Sequence, residues 1–333
     1  MKFLVIGLGS AGQRHVRVIR KKFPKSVIKA YVGDHRTGLI SEDLQSIDNS
    51  ASPFKYYELE ELKSLENLTE SFDLVVIATP ISTHDFYFRK VLTNARRILI
   101  EKPIESDYEK SLEMISEAKR LHIPLLVGYQ HNFNPLTKHI LGEIKKRGKP
   151  NSISLTFHEY LRDMNKFRDM NLHHLAQQGG GGVMLALSHD LDLLLQFTTN
   201  ENYQLDFSLE SSGEFPNVFD KVSITGLVSQ DLNNATEVEV SLSYARVLKE
   251  RRGRVSWGSS SIDWDFLTGK ITISDKESSN SQQIKLLRAD ELILLQLIFL
   301  LNKNALDEDL MLRLDRALEI AKWNVVALNQ ARN

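Results

Sequence analysis

The sequence predicts an α/β protein with two domains, and three observations support this fold class. Short apolar runs alternate with helical patterns over roughly the first 125 residues, which is typical of a parallel sheet with helices on both faces. After about residue 150, apolar and polar residues alternate within closely spaced runs, which indicates an antiparallel or mixed sheet. The chain has 333 residues, a length that suggests two domains.

The N-terminal pattern begins with a strand at Lys2–Ile6, which glycine ends, and a helix at Ser10–Lys22, which stops before Pro24. Further strands are predicted at residues 27–32, 73–78, 97–100 and 124–128, and further helices at residues 83–94 and 106–120. Strands and helices alternate through short links up to the last of these strands. We therefore predict domains at residues 1–124 and 125–333.

The C-terminal pattern begins with an alternating strand at residues 152–160. Later strand-like runs are YQLDFSLE, KVSITGLVS, TEVEVSLSYARV, GRVSWG, SIDWDF and KITIS. Residues 278–283 (SSNSQQ) are predicted to form a polar loop, and helices at residues 290–301 and 308–328 close the chain. The prediction leaves open that these closing helices pack back on the first domain.

Composition excludes several classes of function. The formal net charge is −1, from 42 basic and 43 acidic side chains, so nothing indicates a surface for nucleic acid or an anionic membrane. The absence of cysteine excludes disulfides, thiolate metal sites and a cysteine nucleophile. No apolar run approaches the roughly 20 residues of a membrane span. We expect a soluble, cytoplasmic protein.

A glycine-rich turn follows the first predicted strand and opens the first predicted helix. It carries Gly7, Gly9 and Gly12 in the spacing Gly-x-Gly-x-x-Gly, which in this context is typical of dinucleotide sites. The first glycine allows a tight turn, the second lets the backbone approach a pyrophosphate, and the third lets the helix pack close to the strand. The helix start, with Ser10 and Ala11, would face the phosphate charge. A turn without a ligand is the alternative interpretation.

Two residues after the second predicted strand bear on the choice of dinucleotide. Asp34 lies 22 residues after Gly12, close to the spacing of the acid that binds the ribose hydroxyls of NAD. Arg36 suits the 2′-phosphate of NADP instead, because a guanidinium pairs with phosphate and a carboxylate repels it. The sequence therefore leaves NAD and NADP open, with a slight preference for NADP. Solvated loop residues are the alternative.

Separated motifs, in order along the chain, resemble those of the Gfo/Idh/MocA oxidoreductase family. They are GLGSAGQRHVRVI near the start, VVIATPISTH at residues 75–84, EKPI at residues 101–104, VGYQHNFNP at residues 127–135, and GGGGVMLALSHDLD from Gly179. Each motif alone is weak support for the resemblance, whereas the ordered set is strong support. Together with the later strand-rich segment they cover most of the chain.

The resemblance implies a fold, a cofactor and a substrate class. The first domain would be a doubly wound Rossmann domain, and the second an α/β domain with a large open, mostly antiparallel sheet. A hydride would pass between NAD or NADP and a carbon of a sugar, a cyclitol or a related molecule. A homodimer or homotetramer would form through the second sheet. Besides the glycine turn, the resemblance implies cofactor contacts at Thr79, Pro80, His84 and Glu101.

Lys102 and His189 are the predicted catalytic residues. Lys102 follows a parallel strand, at the edge of the sheet where such folds bind ligands, and its ammonium could hold a substrate hydroxyl and help move its proton. His189 lies in an apolar helical segment, where an imidazole is costly unless it is satisfied. We expect it to line a cleft and take the hydroxyl proton. Asp192 could orient that ring or touch substrate, and Asn134 and Tyr160 are further candidate substrate contacts. Purely structural roles are the alternatives.

Two positions depart from the family pattern. Leu185 and Ala186 lie where many relatives carry an aspartate as a third catalytic residue. Either Lys102 and His189 suffice, or redox activity is weakened or lost. Asn132 stands where the crossover motif usually has arginine, and this could change how an anionic substrate is held.

Charged and histidine-rich stretches after residue 160 give weaker hypotheses. Arg162, Lys166 and Arg168 form a basic loop that could hold a carboxylate or phosphate, although such loops are mostly solvated. His173 and His174 are adjacent, so their side chains do not point the same way, and no third ligand has suitable spacing. We predict no metal.

The function predicted from these residues is that of an NAD(P)-dependent oxidoreductase acting on a polyhydroxylated, sugar-like substrate. A non-catalytic dinucleotide-binding regulator or scaffold of the same fold is the alternative, and Leu185 and Ala186 keep it open. A third hypothesis is that the cofactor is recycled in place during an elimination or epimerisation.

Overall fold

The computed structural model divides the chain into two compact units. It describes residues 1–33, 38–41, 46–48, 51–161, 182–198, 202–215, 218–229 and 234–331. The first unit comprises Met1–Gln130 and Arg288–Ala321, and the second comprises His131–Leu287 and Lys322–Asn333. The boundary predicted from sequence lies after residue 124, whereas the contacts divide the chain after Gln130.

A six-stranded parallel sheet forms the centre of the first unit. Its strands are β1 (Lys2–Ile6), β2 (Val27–Tyr31), β5 (Glu60–Glu61), β6 (Leu74–Ile77), β7 (Ile98–Ile100) and β8 (Leu125–Val127), in the order β5-β2-β1-β6-β7-β8. A separate antiparallel pair joins β3 (Leu39–Ile40) and β4 (Ser46–Asp48). All residues of β6, β7 and β8 are buried, as expected for parallel strands covered on both faces. The doubly wound parallel sheet is thus confirmed.

In chain order, the helices alternate with the strands of the first unit. In the second unit they precede the strands or lie between them, and two helices close the chain. The helices are α1 (Ser10–Lys22), α2 (Pro53–Tyr56), α3 (His84–Val91), α4 (Tyr108–Arg120), α5 (Pro135–Arg147), α6 (Gly182–Ala186), α7 (Ser188–Phe197), α8 (Ala289–Leu301) and α9 (Glu308–Gln330). Short 3-10 turns lie at Ile81–Thr83, Leu92–Asn94 and Gln130–Phe133. Across the described ranges, each helix is too short or too polar to cross a lipid bilayer.

The helix α8 packs into the core of the first unit, although nearly the whole sequence separates it from β1. Ile293, Leu297 and Leu300 of α8 belong to the same buried cluster as Phe3 of β1 and Val16 of α1. Leu297 and Leu300 are completely buried. The beginning of the chain and its closing segment therefore share one hydrophobic core.

An eight-stranded sheet dominates the second unit. Its strands are β9 (Ser152–Tyr160), β10 (Asn202–Glu210), β11 (Lys221–Ser229), β12 (Thr236–Ser243), β13 (Ala245–Trp257), β14 (Ser260–Asp265), β15 (Lys270–Asp275) and β16 (Ser278–Gln283), in the order β10-β11-β12-β9-β13-β14-β15-β16. β12 and β9 pair in parallel, and the other neighbours pair antiparallel. Buried and more exposed residues alternate along β9 and β12, which gives the sheet one apolar face. The large, mostly antiparallel sheet is confirmed.

Two predictions for the second sheet are wrong. Residues 278–283 form the edge strand β16 rather than a loop. All six side chains are exposed, and hydroxyl pairs such as Thr272–Ser281 (2.8 Å) join it to β15, so this strand forms without an apolar face. The run TEVEVSLSYARV is divided at Tyr244, which separates β12 from β13; its N–H donates to Asp220 O (2.8 Å), one residue beyond the pair of Ser243 with Lys221.

The histidine-bearing segment also differs from its prediction. The sequence predicts one helix with a polar face, whereas the structure has α6 and α7, separated at Leu187. The backbone carbonyl of Leu187 accepts the N–H of Asp190 (3.0 Å), which begins α7. His189 and Gln196 are half-buried, and the rest of α7 is buried. The polar positions thus lie in largely enclosed surroundings.

The packing of α8 predicts a clear difference between two leucine substitutions. Leu297→Ala should lower the free energy of unfolding by about 2–5 kcal/mol, because it leaves a cavity in the shared core. Leu306→Ala removes the same atoms from a side chain that is 64% exposed and should change stability by less than about 0.5 kcal/mol. Urea denaturation of the two variants measures the difference. Equal effects would mean that α8 does not close this core.

Candidate functional site

The glycine turn after β1 brings α1 very close to the strand. Gly7 has a φ of +89°, and a Cβ there would lie 2.5 Å from Ala78 O. Its N–H donates to Tyr31 O at 2.8 Å. A Cβ on Gly12 would lie 1.9 Å from Gly7 O. Both positions therefore require glycine for the fold itself.

Gly9 differs from its two neighbours in the motif, because the protein does not need a glycine there. Among the described residues, a Cβ on Gly9 would meet nothing within 4 Å, and its φ of −68° suits any residue. Gly9 precedes α1, whose start has no side-chain cap and no acidic residue in the first turn. Ser10 and Ala11 form that turn and are half-buried. Uncapped N–H groups at a helix start attract anions, so this place fits a dinucleotide phosphate.

Gln13 is a residue of this region that the sequence analysis missed. Its side chain is completely buried. Its Nε2 donates to Leu8 O and Gly38 O, both at 2.8 Å, and its Oε1 accepts the N–H of Ile40 at 2.9 Å. Gln13 thus ties the glycine turn to the chain that follows β2. Its place directly after Gly12 was the only indication in the sequence. Asp34 and Arg36 lie outside the described residues.

The segments after β6 and β7 reach the same edge of the parallel sheet as the glycine turn, because parallel strands end together. A Cβ on Gly7 would lie 3.0 Å from Thr79 Cγ2. Thr83 Oγ1 donates to Thr79 Oγ1 (2.9 Å) and lies 2.7 Å from Pro80 O. Thr79 is half-buried and Pro80 is exposed. The predicted cofactor contacts Thr79 and Pro80 therefore belong to the segment that packs against Gly7.

His84 lies beneath these segments and is completely buried. Its ring nitrogens lie within hydrogen-bond distance of backbone carbonyls on both sides, with Nε2 2.9 Å from Thr79 O and Nδ1 3.1 Å and 3.0 Å from Pro103 O and Ile104 O. Because this buried ring contacts carbonyls of both segments, it joins the segment after β6 to the segment after β7. The predicted direct contact with a cofactor stays a prediction.

Glu101, at the end of β7, is held by a buried histidine. His15 Nε2 donates to Glu101 Oε1 at 2.7 Å, and the His15 side chain is completely buried. Burial raises the pKa of Glu101, but the hydrogen bond and charge of His15, together with the charge and backbone N–H of Lys102, bring that pKa below its ordinary value. A Cβ on Gly128 would lie 3.4 Å from Glu101 Oε2. Glu101 is therefore an ionised group in a tightly packed place.

Lys102 is half-buried and directly follows Glu101 at the sheet edge. The peptide bond between Lys102 and Pro103 is cis. The first unit thus carries an ammonium group at the carboxyl end of β7, next in the chain to an ionised carboxylate. These groups can bind a dinucleotide and hold a polar substrate atom.

The second unit carries His189, three residues before a buried carboxylate. Asp192 is completely buried, and its Oδ2 accepts hydrogen bonds from Asn132 Nδ2 (2.7 Å) and Gln196 Nε2 (2.9 Å). Asn132 thus contacts this carboxylate through a neutral amide. His189 packs edge to face against His131, with ring centroids 5.6 Å apart.

A buried ion pair lies on another side of α7, and the sequence analysis did not find it. Arg251 Nη2 donates to Asp190 Oδ2 at 2.9 Å, and the Arg251 guanidinium lies 4.4 Å from the centre of the Phe157 ring. Burial, and secondarily the charge of Arg251, place the pKa of His131 well below its ordinary value. His131 is therefore a neutral imidazole beside His189. Arg251 is one of several arginines in its strand, and nothing in its spacing distinguishes it.

The weaker candidates have partners of their own. The Asn134 side chain caps α5 by accepting the N–H of Leu136 at 2.9 Å. The Tyr160 hydroxyl donates to Glu214. Leu185 and Ala186, where the resemblance implies an aspartate in many relatives, are buried. The roles of Asn134 and Tyr160 as substrate contacts stay predictions.

The remaining hypotheses concern the segment after residue 161. The described part of the chain contains no group of three or more His, Asp or Glu side chains placed to hold a metal ion. The basic residues and the histidine pair singled out in the sequence lie outside the described residues. They are Arg162, Lys166, Arg168, His173 and His174.

The buried pair of His15 and Glu101 predicts a pH-dependent contribution to stability. At neutral pH, Glu101→Gln should lower the free energy of unfolding by about 2 kcal/mol, because a charged buried hydrogen bond is lost. The folded pKa of Glu101 lies below the ordinary value of 4.5, so this contribution is present above pH 4.5 and is lost as the pH falls through the folded pKa. Urea denaturation at several pH values should show the gap closing in acid.

Glu113→Gln is the matched control for this prediction. Glu113 pairs with Arg89 at 2.7 Å but is 63% exposed, so its removal should cost less than about 1 kcal/mol at any pH. A Glu101→Gln effect that is equally small, or constant down to acid pH, would contradict the prediction.

Comparison with known proteins agrees with this geometry. Residues 1–129 match the family model described as "Oxidoreductase family, NAD-binding Rossmann fold". Among curated relatives, scyllo-inositol 2-dehydrogenase (NAD(+)) of Bacillus subtilis strain 168 is 25% identical over 199 residues, which are 57% of this chain and 51% of that protein. The chain thus spans about half the length of this relative.

Solved structures match over nearly the whole chain. UDP-N-acetylglucosamine 3-dehydrogenase from Acidithiobacillus ferrooxidans has a TM-score of 0.72 at 20% identity, covering 98% of this chain and 97% of that one. A Gfo/Idh/MocA family oxidoreductase from Vibrio cholerae has a TM-score of 0.69 at 14% identity, with full coverage of both chains. Residues 1–129 therefore match an NAD-binding Rossmann family model, and the chain as a whole shares its fold with these two solved structures.

Proposed function

We propose that this protein is an NAD(P)-dependent oxidoreductase that transfers a hydride to or from a carbon of a polyhydroxylated, sugar-like substrate. The observation that carries the proposal is the uncapped start of α1 at Gly9, where no described residue lies within 4 Å of the place of a Cβ. The match of residues 1–129 to an NAD-binding family supports it. The name of the Bacillus subtilis relative, an inositol dehydrogenase, supports the substrate class.

The residues of this chain would bind the cofactor and transfer the proton of the substrate hydroxyl. A bound nicotinamide supplies the hydride acceptor or donor. Lys102 would hold the substrate hydroxyl, and His189 would take the proton that leaves the hydroxyl as its carbon loses hydride. Glu101, held ionised by His15, precedes Lys102 directly at the end of β7.

The choice between NAD and NADP belongs to this proposal. The sequence favours NADP slightly, because Arg36 suits a 2′-phosphate, while Asp34 suits the ribose hydroxyls of NAD. The relative named above is an NAD(+) enzyme. Affinities for NADH and NADPH measured side by side decide the preference.

We further propose a homodimer or homotetramer that forms through the sheet of the second unit. The side of β9 that faces away from the core carries half-buried polar residues, among them Ser154 and Thr156. Such a surface suits a polar contact between copies of the chain. Light scattering coupled to size-exclusion chromatography measures the assembly, and a monomer at micromolar concentration would contradict this part.

The first functional prediction concerns Gly9→Ala. The fold has room for the added methyl group, so the free energy of unfolding should change by less than about 0.5 kcal/mol. The methyl group would occupy the approach of the pyrophosphate, so the dissociation constant for NADH or NADPH should rise at least about tenfold. Nicotinamide fluorescence during titration measures both affinities.

Gly142→Ala is the matched control, because a Cβ on Gly142 in α5 also meets nothing within 4 Å. It should leave cofactor affinity unchanged and stabilise the helix slightly. Unchanged cofactor affinity in Gly9→Ala would mean that no dinucleotide phosphate lies on this turn.

The second functional prediction concerns Lys102→Met. With a panel of sugars and cyclitols, kcat/KM should fall by about a hundredfold or more, because the substrate hydroxyl loses the ammonium group proposed to hold it. Cofactor affinity should change much less. Lys110→Met, at an exposed position of α4, is the control and should behave like wild type.

Three outcomes distinguish the hypotheses. Full turnover by Lys102→Met would contradict the proton-transfer role. Tight cofactor binding without turnover on any substrate would favour the regulator or scaffold, for which buried Leu185 and Ala186 are the supporting observation. Substrate loss without a net change in nicotinamide absorbance would indicate that the cofactor is recycled in place.

A further inference from the structure

We propose that a cleft beside the C-terminal half of α1 binds a small phosphate ester, at a site separate from the glycine turn. The cleft is open to solvent and has a volume of about 440 Å³. Ligand sites commonly have volumes of about 300–1,000 Å³, so the cleft is large enough for a small molecule. Its lining includes Arg17, Lys21, Tyr56, Tyr57 and Asp290, and all of them belong to the first unit.

Arg17 carries hydrogen-bond donors that the described chain does not use. Its side chain is only 15% exposed, yet Nε and Nη2 are buried without a hydrogen bond to any described residue. Nη1 makes two long contacts, to Ile40 O (3.3 Å) and to the Tyr57 hydroxyl (3.4 Å). A buried donor without an acceptor costs free energy, and each such group calls for an explanation. A ligand oxygen in the cleft would provide the acceptor.

Arg20 lies in the same cleft and has a purely structural role. Its Nε donates to Tyr57 O (3.2 Å), its Nη1 to Ser26 O (3.0 Å) and its Nη2 to Glu58 O (2.9 Å). Backbone carbonyls thus occupy all three nitrogens, and Arg20 joins α1 to the segment after α2. Arg17 differs because its Nε and Nη2, which form one side of the guanidinium, remain for a ligand.

The charge of Arg17 is only partly balanced. Asp290 Oδ2 lies 3.6 Å from Arg17 Nε, and Asp290 Oδ1 lies 3.7 Å from Arg14 Nε, so two guanidinium groups share one carboxylate. Both distances are longer than a hydrogen bond. Lys21 adds an exposed ammonium group, and Glu58 adds an exposed carboxylate. These five side chains leave a net positive charge, which attracts an anion.

A phosphate ester fits these groups better than a carboxylate does. A guanidinium donates two parallel hydrogen bonds to phosphate oxygens, and a lysine binds phosphate as a point charge. A phosphate monoester carries roughly −1.5 to −2 charges at pH 7, which suits the two cations Arg17 and Lys21 together. The Tyr56 ring is 63% exposed and meets the Tyr57 ring edge to face at 4.9 Å. It offers an apolar surface for the organic part of the ester.

The cleft is distinct from the proposed cofactor site. The glycine turn lies at the start of α1, whereas the two cations of the cleft lie in its second half. At 1.5 Å per residue, Arg17 is about 10 Å and Lys21 about 16 Å from Ser10 along the helix axis. One phosphate group therefore does not contact both the helix start and Lys21.

Calorimetric titration of the full chain with phenyl phosphate, at fixed ionic strength, tests the site. Saturable binding is expected with a dissociation constant of about 1 mM or below, the strength usual for so small a ligand. Inorganic phosphate should bind more weakly, because it has no ring to pack on Tyr56. No saturation at about 10 mM phenyl phosphate would overturn the proposal. Benzoate that binds as tightly as phenyl phosphate would overturn the assignment of a phosphate.

Variants of the lining identify the site. Arg17→Gln should raise the dissociation constant for phenyl phosphate by about tenfold or more, because charged hydrogen bonds are lost. Arg17→Lys should do nearly the same, since it keeps the charge but not the planar pair of donors. Tyr56→Ala should weaken the binding of phenyl phosphate but not that of inorganic phosphate. If the Arg17 variants do not fold, Lys21→Gln at an exposed position decides, and unchanged affinity in it would overturn the proposal.

Arg97→Gln is the matched control for a change in overall charge. Arg97 is half-buried and also has a buried Nε without a hydrogen bond to any described residue, but it is not part of the lining of the cleft. This variant should bind phenyl phosphate like wild type. An equal loss of affinity in Arg97→Gln and Arg17→Gln would assign the effect to overall charge and overturn the proposal.

A titration in the presence of saturating NADH separates this site from the glycine turn. Phenyl phosphate should bind equally well with and without NADH, and equally well to Gly9→Ala. Displacement by NADH, or weaker binding to Gly9→Ala, would place the phosphate on the glycine turn and overturn the proposal. If NADH does not bind at all, the proposed function fails, while the Arg17, Lys21 and Arg97 variants still decide whether the cleft binds phosphate.

Discussion

The close approach of α1 to the end of β1 is the constraint on which the first unit depends. A side chain at Gly12 would occupy the place of the Gly7 carbonyl, so helix and strand meet with nothing between them. This contact fixes where the uncapped N–H groups of α1 lie relative to the ends of β6 and β7. Gln13, His84 and Glu101 then join the segments of this edge through buried hydrogen bonds. Apolar packing holds the sheet together, and these polar side chains join the segments at the edge where its strands end.

Much of the fold follows from local patterns, and the failures have physical causes. Strands such as Leu74–Ile77 are predictable because parallel strands covered on both faces need continuous apolar runs. The strand Ser278–Gln283 has no apolar residue to signal it and forms because β15 offers an open edge. The break at Leu187 is invisible in the sequence, since apolar residues on both sides fit one long helix as well as two short ones. The packing of Leu297 on β1 is a contact between distant parts of the chain, which periodicity does not encode.

The candidate site is predictable to the extent that backbone requirements select residue types. Gly7 and Gly12 are marked by their spacing because the fold excludes any other residue there. Side-chain partners are harder to predict. Gln13 and Arg251 are ordinary polar residues in sequence, and only the folded chain reveals that each has buried partners. Asn132 was noticed because the resemblance implies an arginine at this position. The sequence did not indicate its hydrogen bond to buried Asp192.

The polar character of β16 bears on how the chain behaves in concentrated solution. This strand ends the order of the eight-stranded sheet and pairs only with β15 among the described strands, so one row of its backbone amides and carbonyls faces outward. Many proteins discourage strand addition by placing charged side chains or proline on an edge strand. β16 has neither, because it consists of serine, asparagine and glutamine only. Crystallisation or high-yield expression would therefore benefit from a lysine at Asn280, where an ammonium group would repel a second copy of the same edge while the apolar interior of the sheet stays intact.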